Sequence, residues 1–147
     1  MVPALNARMT ELQALLVRNQ LQRLDTIIAE RRAIADHYLG ALSGFPDISI
    51  QRGVGEMLWQ AFAMTCEGVG FAQIKAGMAQ NGVAIARAGV ATHLEPWYAQ
   101  KYGYTLPGSA SLGREAFTLP SFEGMRAQEL NHVIHALLST INQITHS

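Results

Sequence analysis

Few residues in this chain can do chemistry without help. Its lysines are Lys75 and Lys101, and a lysine amine becomes a Schiff-base nucleophile only when its surroundings lower its basicity. Lys75 falls in a helical pattern and reads as a helix-surface residue; Lys101 falls among glycines, prolines and aromatics and reads as a loop residue. Cys66 is the sole cysteine, so no intrachain disulfide can form, and no C-x-x-C or Cys/His zinc spacing occurs. His132 and His135 stand three apart on a predicted helix, but with no third ligand near them in the pattern they make a poor metal site and read as a solvated edge. The densest grouping lies between residues 87 and 108. Arg87 opens it, and His93, Trp97, Tyr98, Tyr102 and Tyr104 follow among Gly89, Pro96, Gly103, Pro107 and Gly108. The punctuation predicts a long, shaped loop, and loops of that length tend to carry function. Against this stand plainer roles: an exposed arginine after a strand, a solvated histidine, and aromatics filling a satellite core.

The elements that must hold these residues can be read from periodicity. Thr10-Glu11-Leu12-Gln13 has the form of a capping box, in which hydroxyl and amide satisfy each other's backbone N–H groups. From there to Leu42 no proline and only Gly40 intervene, which predicts one long helix. Val17, Leu21, Leu24 and Ile28 lie on one face, and Leu12, Leu15 and Leu16 widen the apolar arc enough for burial on two sides. Unbroken, it would span about 45 Å at ~1.5 Å per residue, so a bend or break is expected near Glu30–Arg32. Ile48–Gln51 and Trp59–Cys66 read as strands, Phe71–Gln80 as a helix stopped by Asn81-Gly82, and Val83–Ala86 as a third strand. Ser109–Ala116 is a short helix, Phe117–Leu119 a brief extended piece ended by Pro120, and Arg126–Ile144 a final amphipathic helix. This order predicts an α+β fold: a small, mainly antiparallel sheet covered by helices, with a long N-terminal helix.

The bulk numbers bound the rest. A chain of 147 residues, 49% hydrophobic and 15% charged, reads as a single globular domain over 1–147. Eleven basic residues balance eleven acidic ones, and no basic tract exceeds Arg31-Arg32, which argues against nucleic acid as a partner. The N-terminus lacks the charged and apolar regions of a signal peptide, and no apolar run reaches membrane-span length. The expectation is a cytoplasmic protein that does not enter membranes.

Several of these stretches, in order, resemble the small C-terminal domain of the DegT/DnrJ/EryC1/StrS aminotransferases, of fold type I. Asn6-Ala7-Arg8 matches an Asn-x-Arg motif. Leu12-Gln13-Ala14 matches the helix that follows it, Gln20-Leu21-Gln22-Arg23-Leu24 a Gln-Leu-x-x-Leu, Arg31-Arg32 an Arg-rich turn, and Tyr38 the Tyr after that turn. Trp59-Gln60-Ala61-Phe62 is similar to a Trp-His-x-Tyr/Phe strand, Gly82-Val83 to a Gly-Ile pair, His93-Leu94-Glu95-Pro96-Trp97-Tyr98 to a His-x-x-Pro-x-Tyr loop, and Leu119-Pro120 to a Leu-Pro before the last helix. Leu5 replaces the usual aromatic, and Gln60 stands where histidine is common.

The resemblance implies pyridoxal phosphate (PLP) as the cofactor of a complete enzyme that moves an amino group from glutamate to a nucleotide-linked keto-deoxy sugar. It implies that Asn6 and Arg8 reach the cofactor phosphate of a neighbouring subunit, and that His93, Arg87 and Tyr98 contact the nucleotide sugar. Asn6 as a simple helix-start residue, and Arg8 in a surface pair with Glu11, remain alternatives. Neither Lys75 nor Lys101 follows the family's Ser-x-x-x-Lys context. The large domain that carries that lysine is therefore expected to be absent from this chain, which alone should neither bind PLP nor transaminate. A homodimer through the apolar helix at 12–28 is expected. Also open are a stand-alone dimerisation or regulatory module of the same fold, a fragment of a related PLP-dependent sugar dehydratase, and an unrelated α+β ligand-binding domain.

Overall fold

The computed structural model describes residues 8–53 and 55–146. The α+β fold is the expected one: six α-helices and a four-stranded antiparallel sheet of order β1-β2-β4-β3. The strands are β1 (Ile48–Ile50), β2 (Phe62–Cys66), β3 (Ala86–Arg87) and β4 (Phe117–Leu119). Alternation on β2 and β4 sends Phe62, Met64, Cys66, Phe117 and Leu119 to one face. Three helices close over it: α2 (Leu24–Leu42), α3 (Phe71–Gln80) and α6 (Ala127–Thr145). No helix among the described residues is long and apolar enough to cross a membrane.

Thr10 and Gln13 form the expected capping box, the Gln13 N–H donating to the Thr10 hydroxyl at 3.3 Å and the Thr10 N–H to Gln13 Oε1 at 2.9 Å. The helix it starts, α1 (Glu11–Gln22), ends earlier than expected. The break falls at Arg23, where a tight turn sends the Arg23 N–H to the Gln20 carbonyl and the side chain to Glu123 at 2.8 Å. Glu30–Arg32, where a bend or break is expected, instead lies inside the continuous helix α2, and its side chains tether loops. Glu30 accepts from the Gly124 N–H at 3.1 Å, Arg31 donates to the Gln60 carbonyl at 2.7 Å, and Arg32 pairs with Glu56. Polar residues there look outward to the loops, so the helical ladder is undisturbed.

Two strands are shorter than their apolar runs. Trp59 has φ +49°, off the strand path. Its ring stacks on Phe62 at 5.4 Å while Arg31 holds the next carbonyl, so β2 begins at Phe62. The third strand begins at Ala86 because the Val83 N–H is used up closing α3: it donates to the Met78 carbonyl around Gly82, whose φ of +72° completes the helix stop. The stretch 87–108 was expected to be irregular, yet it holds a 3-10 turn (Thr92–Leu94), α4 (Pro96–Tyr102) and the start of α5 (Pro107–Glu115). Pro96 and Pro107 sit in the first turns of their helices and Gly103, at φ +61°, ends α4. The residues read as loop punctuation are here helix starts and stops. The brief extended piece at 117–119 is an inner strand of the sheet, flanked on both sides.

α3 and α6 touch at their closest where Gly77 faces Thr140. A Cβ on Gly77 would meet Thr140 Cγ2 and, at 2.8 Å, its Oγ1, and Thr140 is buried. Helix propensity favours Gly77→Ala by about 1 kcal/mol, whereas overpacking costs about 1–3 kcal/mol. With Thr140 unable to move aside, overpacking wins. Gly77→Ala is expected to lower the thermal midpoint, and adding Thr140→Ala should restore it; an unchanged midpoint in the single variant would show that the helices are not in this contact.

Burial on β2, with Asp47 adding to it, pushes the Cys66 thiol up from 9.0 to about 11. The fold thus favours the neutral thiol. Its contribution to stability is present below the thiol's ordinary value and is lost as pH rises toward the raised one. Iodoacetamide at about pH 8 should leave native Cys66 unmodified while labelling the urea-unfolded chain; prompt labelling of the native protein would mean that β2 opens.

Candidate functional site

The residues singled out between 87 and 108 sit on an excursion that leaves β3, forms the 3-10 turn, α4 and α5, and returns as β4. Two contacts hold it. The Arg87 guanidinium lies over the Phe71 ring, 4.6 Å from its centre, and donates to the Gly113 carbonyl at 2.6 Å. Gly113 in turn lies so close to Ala91 that an added Cβ would come within 3.0 Å of it. Arg87 is therefore engaged with α5, and through Gly113 it fixes the segment that leads to His93.

His93 lies in the 3-10 turn, half-buried, and its Nδ1 is buried with no hydrogen-bond partner among the described residues. A buried polar atom without a partner is uncommon in a native fold and marks a place where a ligand or another group can bind. Tyr98 lies on α4 in an exposed cluster: its ring meets Trp97 edge-on at 4.9 Å and stacks with Tyr102 at 6.2 Å, and Tyr102 stacks on Tyr104 at 5.7 Å. These rings pack on one another rather than into the main core.

Both lysines rest against aromatic faces. Lys101 Nζ lies 4.5 Å from the centre of Trp97 and 5.1 Å from that of Tyr102, and Lys75 Nζ lies 5.9 Å from Phe71. Each amine is thus engaged on an aromatic face of this chain, and neither lysine lines the sheet-face cleft described below. Arg8 is exposed ahead of the α1 cap and forms no ion pair with Glu11 among the described residues. Asn6 lies outside the described residues.

His132 is exposed, and its Nε2 also bonds the Asn81 carbonyl at 2.9 Å, at the C-terminal end of α3. Among the described residues, no group of three His, Cys, Asp or Glu side chains could hold a metal. One feature had no signal in the sequence. A cleft of about 630 Å³ lies on the sheet face opposite the core, between β1, β2, residues 88–90 and α5. Its walls come from four separate segments, and no motif or period links them.

Comparison with known proteins places this geometry. The model of the DegT/DnrJ/EryC1/StrS aminotransferase family matches residues 1–138. The chain is 30% identical over 138 residues to the erythromycin biosynthesis sensory transduction protein EryC1 of Saccharopolyspora erythraea, covering 90% of this chain and 37% of that protein. It is 27% identical over 137 residues to the dTDP-3-amino-3,4,6-trideoxy-alpha-D-glucose transaminase of Streptomyces venezuelae, covering 90% and 36%. Among solved structures it superposes on S. venezuelae DesV with a TM-score of 0.80 at 25% identity, covering 92% of this chain and 38% of that one. The E. coli GDP-4-keto-6-deoxy-D-mannose-3-dehydratase with bound hydrated PLP shares the fold, with a TM-score of 0.80 at 19% identity and coverage of 92% and 37%. The chain thus spans little more than a third of the length of the relatives it matches. With nearly its whole length matched, from the capped first helix into α6, the chain belongs to the DegT/DnrJ/EryC1/StrS aminotransferase family.

Proposed function

We propose that this chain is the small domain of a PLP-dependent nucleotide-sugar aminotransferase, which moves an amino group from glutamate to a keto-deoxy sugar in the cytoplasm. The observation that carries this reading is the family match over residues 1–138. In it, the Schiff-base lysine and the group that holds the pyridine nitrogen come from a large domain outside this chain. PLP supplies the electron sink for moving the amino group when bound there. This chain supplies the surround. Asn6 and Arg8 donate to the cofactor phosphate of a neighbouring subunit. His93 offers its unpartnered Nδ1 to the nucleotide sugar, Tyr98 presents a half-exposed ring, and Arg87 acts mainly by holding the loop, since Gly113 already engages its guanidinium.

A sugar dehydratase reading is favoured by one observation, the fold shared with the E. coli enzyme. The family residue in the large domain, lysine or histidine, separates the two. For the 147-residue chain itself the expectation is no amino transfer from glutamate to a dTDP-linked keto sugar in the presence of PLP. Activity should return when a relative's large domain is supplied in the same polypeptide. Turnover by the chain alone, measured as 2-oxoglutarate formed, would overturn the assignment of the lysine to another domain.

The helix at 12–28 bears on assembly. α1 has no buried residue, and Leu12, Leu15, Leu16, Val17, Leu21 and Leu24 are all exposed. Full burial of such a side chain contributes about 1.5–3 kcal/mol, so six of them can offset an association cost of roughly 4–15 kcal/mol. We take a second copy of this chain as the cover. Light scattering should give a dimer, and Leu12→Glu with Leu16→Glu should give a folded monomer; a monomeric parent protein at high concentration would rule the second copy out.

A further inference from the structure

Gly113 lies inside α5, where its backbone is outside the left-handed region, so the helix has no conformational need for a glycine there. Glycine weakens a helix relative to alanine. What it supplies is room. A Cβ at Gly113 would stand 3.0 Å from the Ala91 Cβ and 3.2 Å from the Ala91 nitrogen. The nitrogen is backbone, so turning a side chain cannot relieve the contact; Ala91 or α5 would have to shift.

Ala91 in turn governs the 3-10 turn. Its carbonyl accepts the Leu94 N–H at 2.8 Å, the bond that closes the turn around His93, and the Glu95 N–H follows to the Thr92 carbonyl at 3.1 Å. A displacement of Ala91 therefore carries the turn, with His93 in its middle. No hydrogen bond among the described residues holds the histidine's Nδ1, so the direction of that atom is inherited from the backbone beneath it.

Gly113 is braced from the other side. Its carbonyl accepts from the Arg87 guanidinium at 2.6 Å, and that guanidinium lies 4.6 Å from the centre of the buried Phe71 ring at the start of α3. Arg87 is itself fixed in β3 opposite Phe117, and the next N–H, that of Ala88, donates to the Ala116 carbonyl at 3.1 Å. A continuous line of contacts thus runs from Phe71 through Arg87, Gly113 and Ala91 to the turn. The two halves meet at Gly113: its carbonyl takes the brace, and its missing Cβ seats the turn.

We propose that Gly113, held by Arg87, is a positioning residue for His93 and sets where the histidine's Nδ1 points. All of these contacts lie within this chain, and none depends on an open surface. The consequence for turnover rests on the reading that His93 meets the substrate.

The placement is tested on the 147-residue protein by ¹H–¹⁵N spectra of the histidine rings, with His93→Gln identifying the His93 signals. Gly113→Ala should move the His93 ring signals and the amides at 91–95, and leave the rings of His37 and His132 and the amides of β2 in place. Gly113→Ala with Ala91→Gly, which removes the nearest atom, should bring the His93 signals at least part of the way back. Arg87→Ala should move the same signals without adding bulk, and because Arg87 is exposed it decides the matter even if Gly113→Ala does not fold. A folded variant with unmoved His93 ring signals overturns the proposal, as does movement spread evenly over all five histidines. With the chain joined to a relative's large domain, Gly113→Ala should raise KM for the keto sugar about threefold or more with a smaller change in kcat, and should add little once His93 is replaced by glutamine. An equally large effect of Gly113→Ala in the His93→Gln background would place its action elsewhere and overturn the proposal. An unchanged KM for His93→Gln alone would instead overturn the reading of His93 as a substrate contact, and the ring signals would still judge the placement.

Discussion

Tyr38 is the point on which the rest of this fold depends. It is fully buried, its ring lies 5.0 Å from Phe62 on β2, and its hydroxyl donates to the Pro120 carbonyl at 2.9 Å. One side chain thus ties the middle of α2 to the second strand and to the exit of the last strand, 82 residues further on. Burial drives the phenol well above its ordinary range, so it stays a neutral donor at any physiological pH. The bond also satisfies a carbonyl that follows an inner strand and would otherwise lose its water. Where Pro120 is placed, the 121–126 turn and the start of α6 are placed too. Glu30, two turns of helix before Tyr38, then meets the Gly124 N–H, and Arg23 meets Glu123.

The two faces of the sheet follow from that anchor. Pairing Phe62 with Leu119 and Met64 with Phe117 puts four large apolar side chains on one face. α2, α3 and α6 cover that face, and the Gly77–Thr140 approach lets α3 and α6 meet closely. The same register puts Ser49, Ala63, Thr65 and Thr118 on the other face. These are small or hydroxylated side chains that cannot drive helix packing. What covers them is α5 with the 88–90 segment, held by Arg87 and by backbone contacts instead of by a second core. The result is one dry, closed face that supplies stability and one open face that supplies a cleft.

Much of this was legible in the sequence because helix periodicity and capping act locally. The Thr10 box, the α3 helix and its Asn81-Gly82 stop, and the apolar stripe of α6 all lie where pattern puts them. The family motifs were legible for a similar reason: they are short and occur in order. What escaped was decided by partners far along the chain. At the helix break the Arg23 side chain pairs with Glu123, which no window around Arg23 contains. The third strand yields Val83 to a carbonyl of α3, and the exposed His132 also bonds the Asn81 carbonyl. In the 87–108 stretch the signals were present but ambiguous, since proline and glycine mark a helix start and stop as readily as a loop. Of the candidate site residues, Arg87, His93 and Tyr98 share one excursion, Tyr98 within its aromatic cluster, and Arg8 lies exposed ahead of α1.

α1 differs in kind from everything behind it. A helix whose leucines are exposed gains little from the fold it is attached to, and α1 precedes α2 without adding a residue to the core. Its capping box makes it a helix, but not because this domain needs one there. The surface ion pair between Arg23 and Glu123 lies at the junction of α1 and α2, and α1 lies beyond it. An isolated helix of 12 residues is marginal in water on propensity alone, so its apolar surface must be covered for it to persist. The chain therefore divides at Arg23 into a part that folds around Tyr38 and a part whose burial has to come from outside that core, and the second part is the one that carries Arg8 at its head.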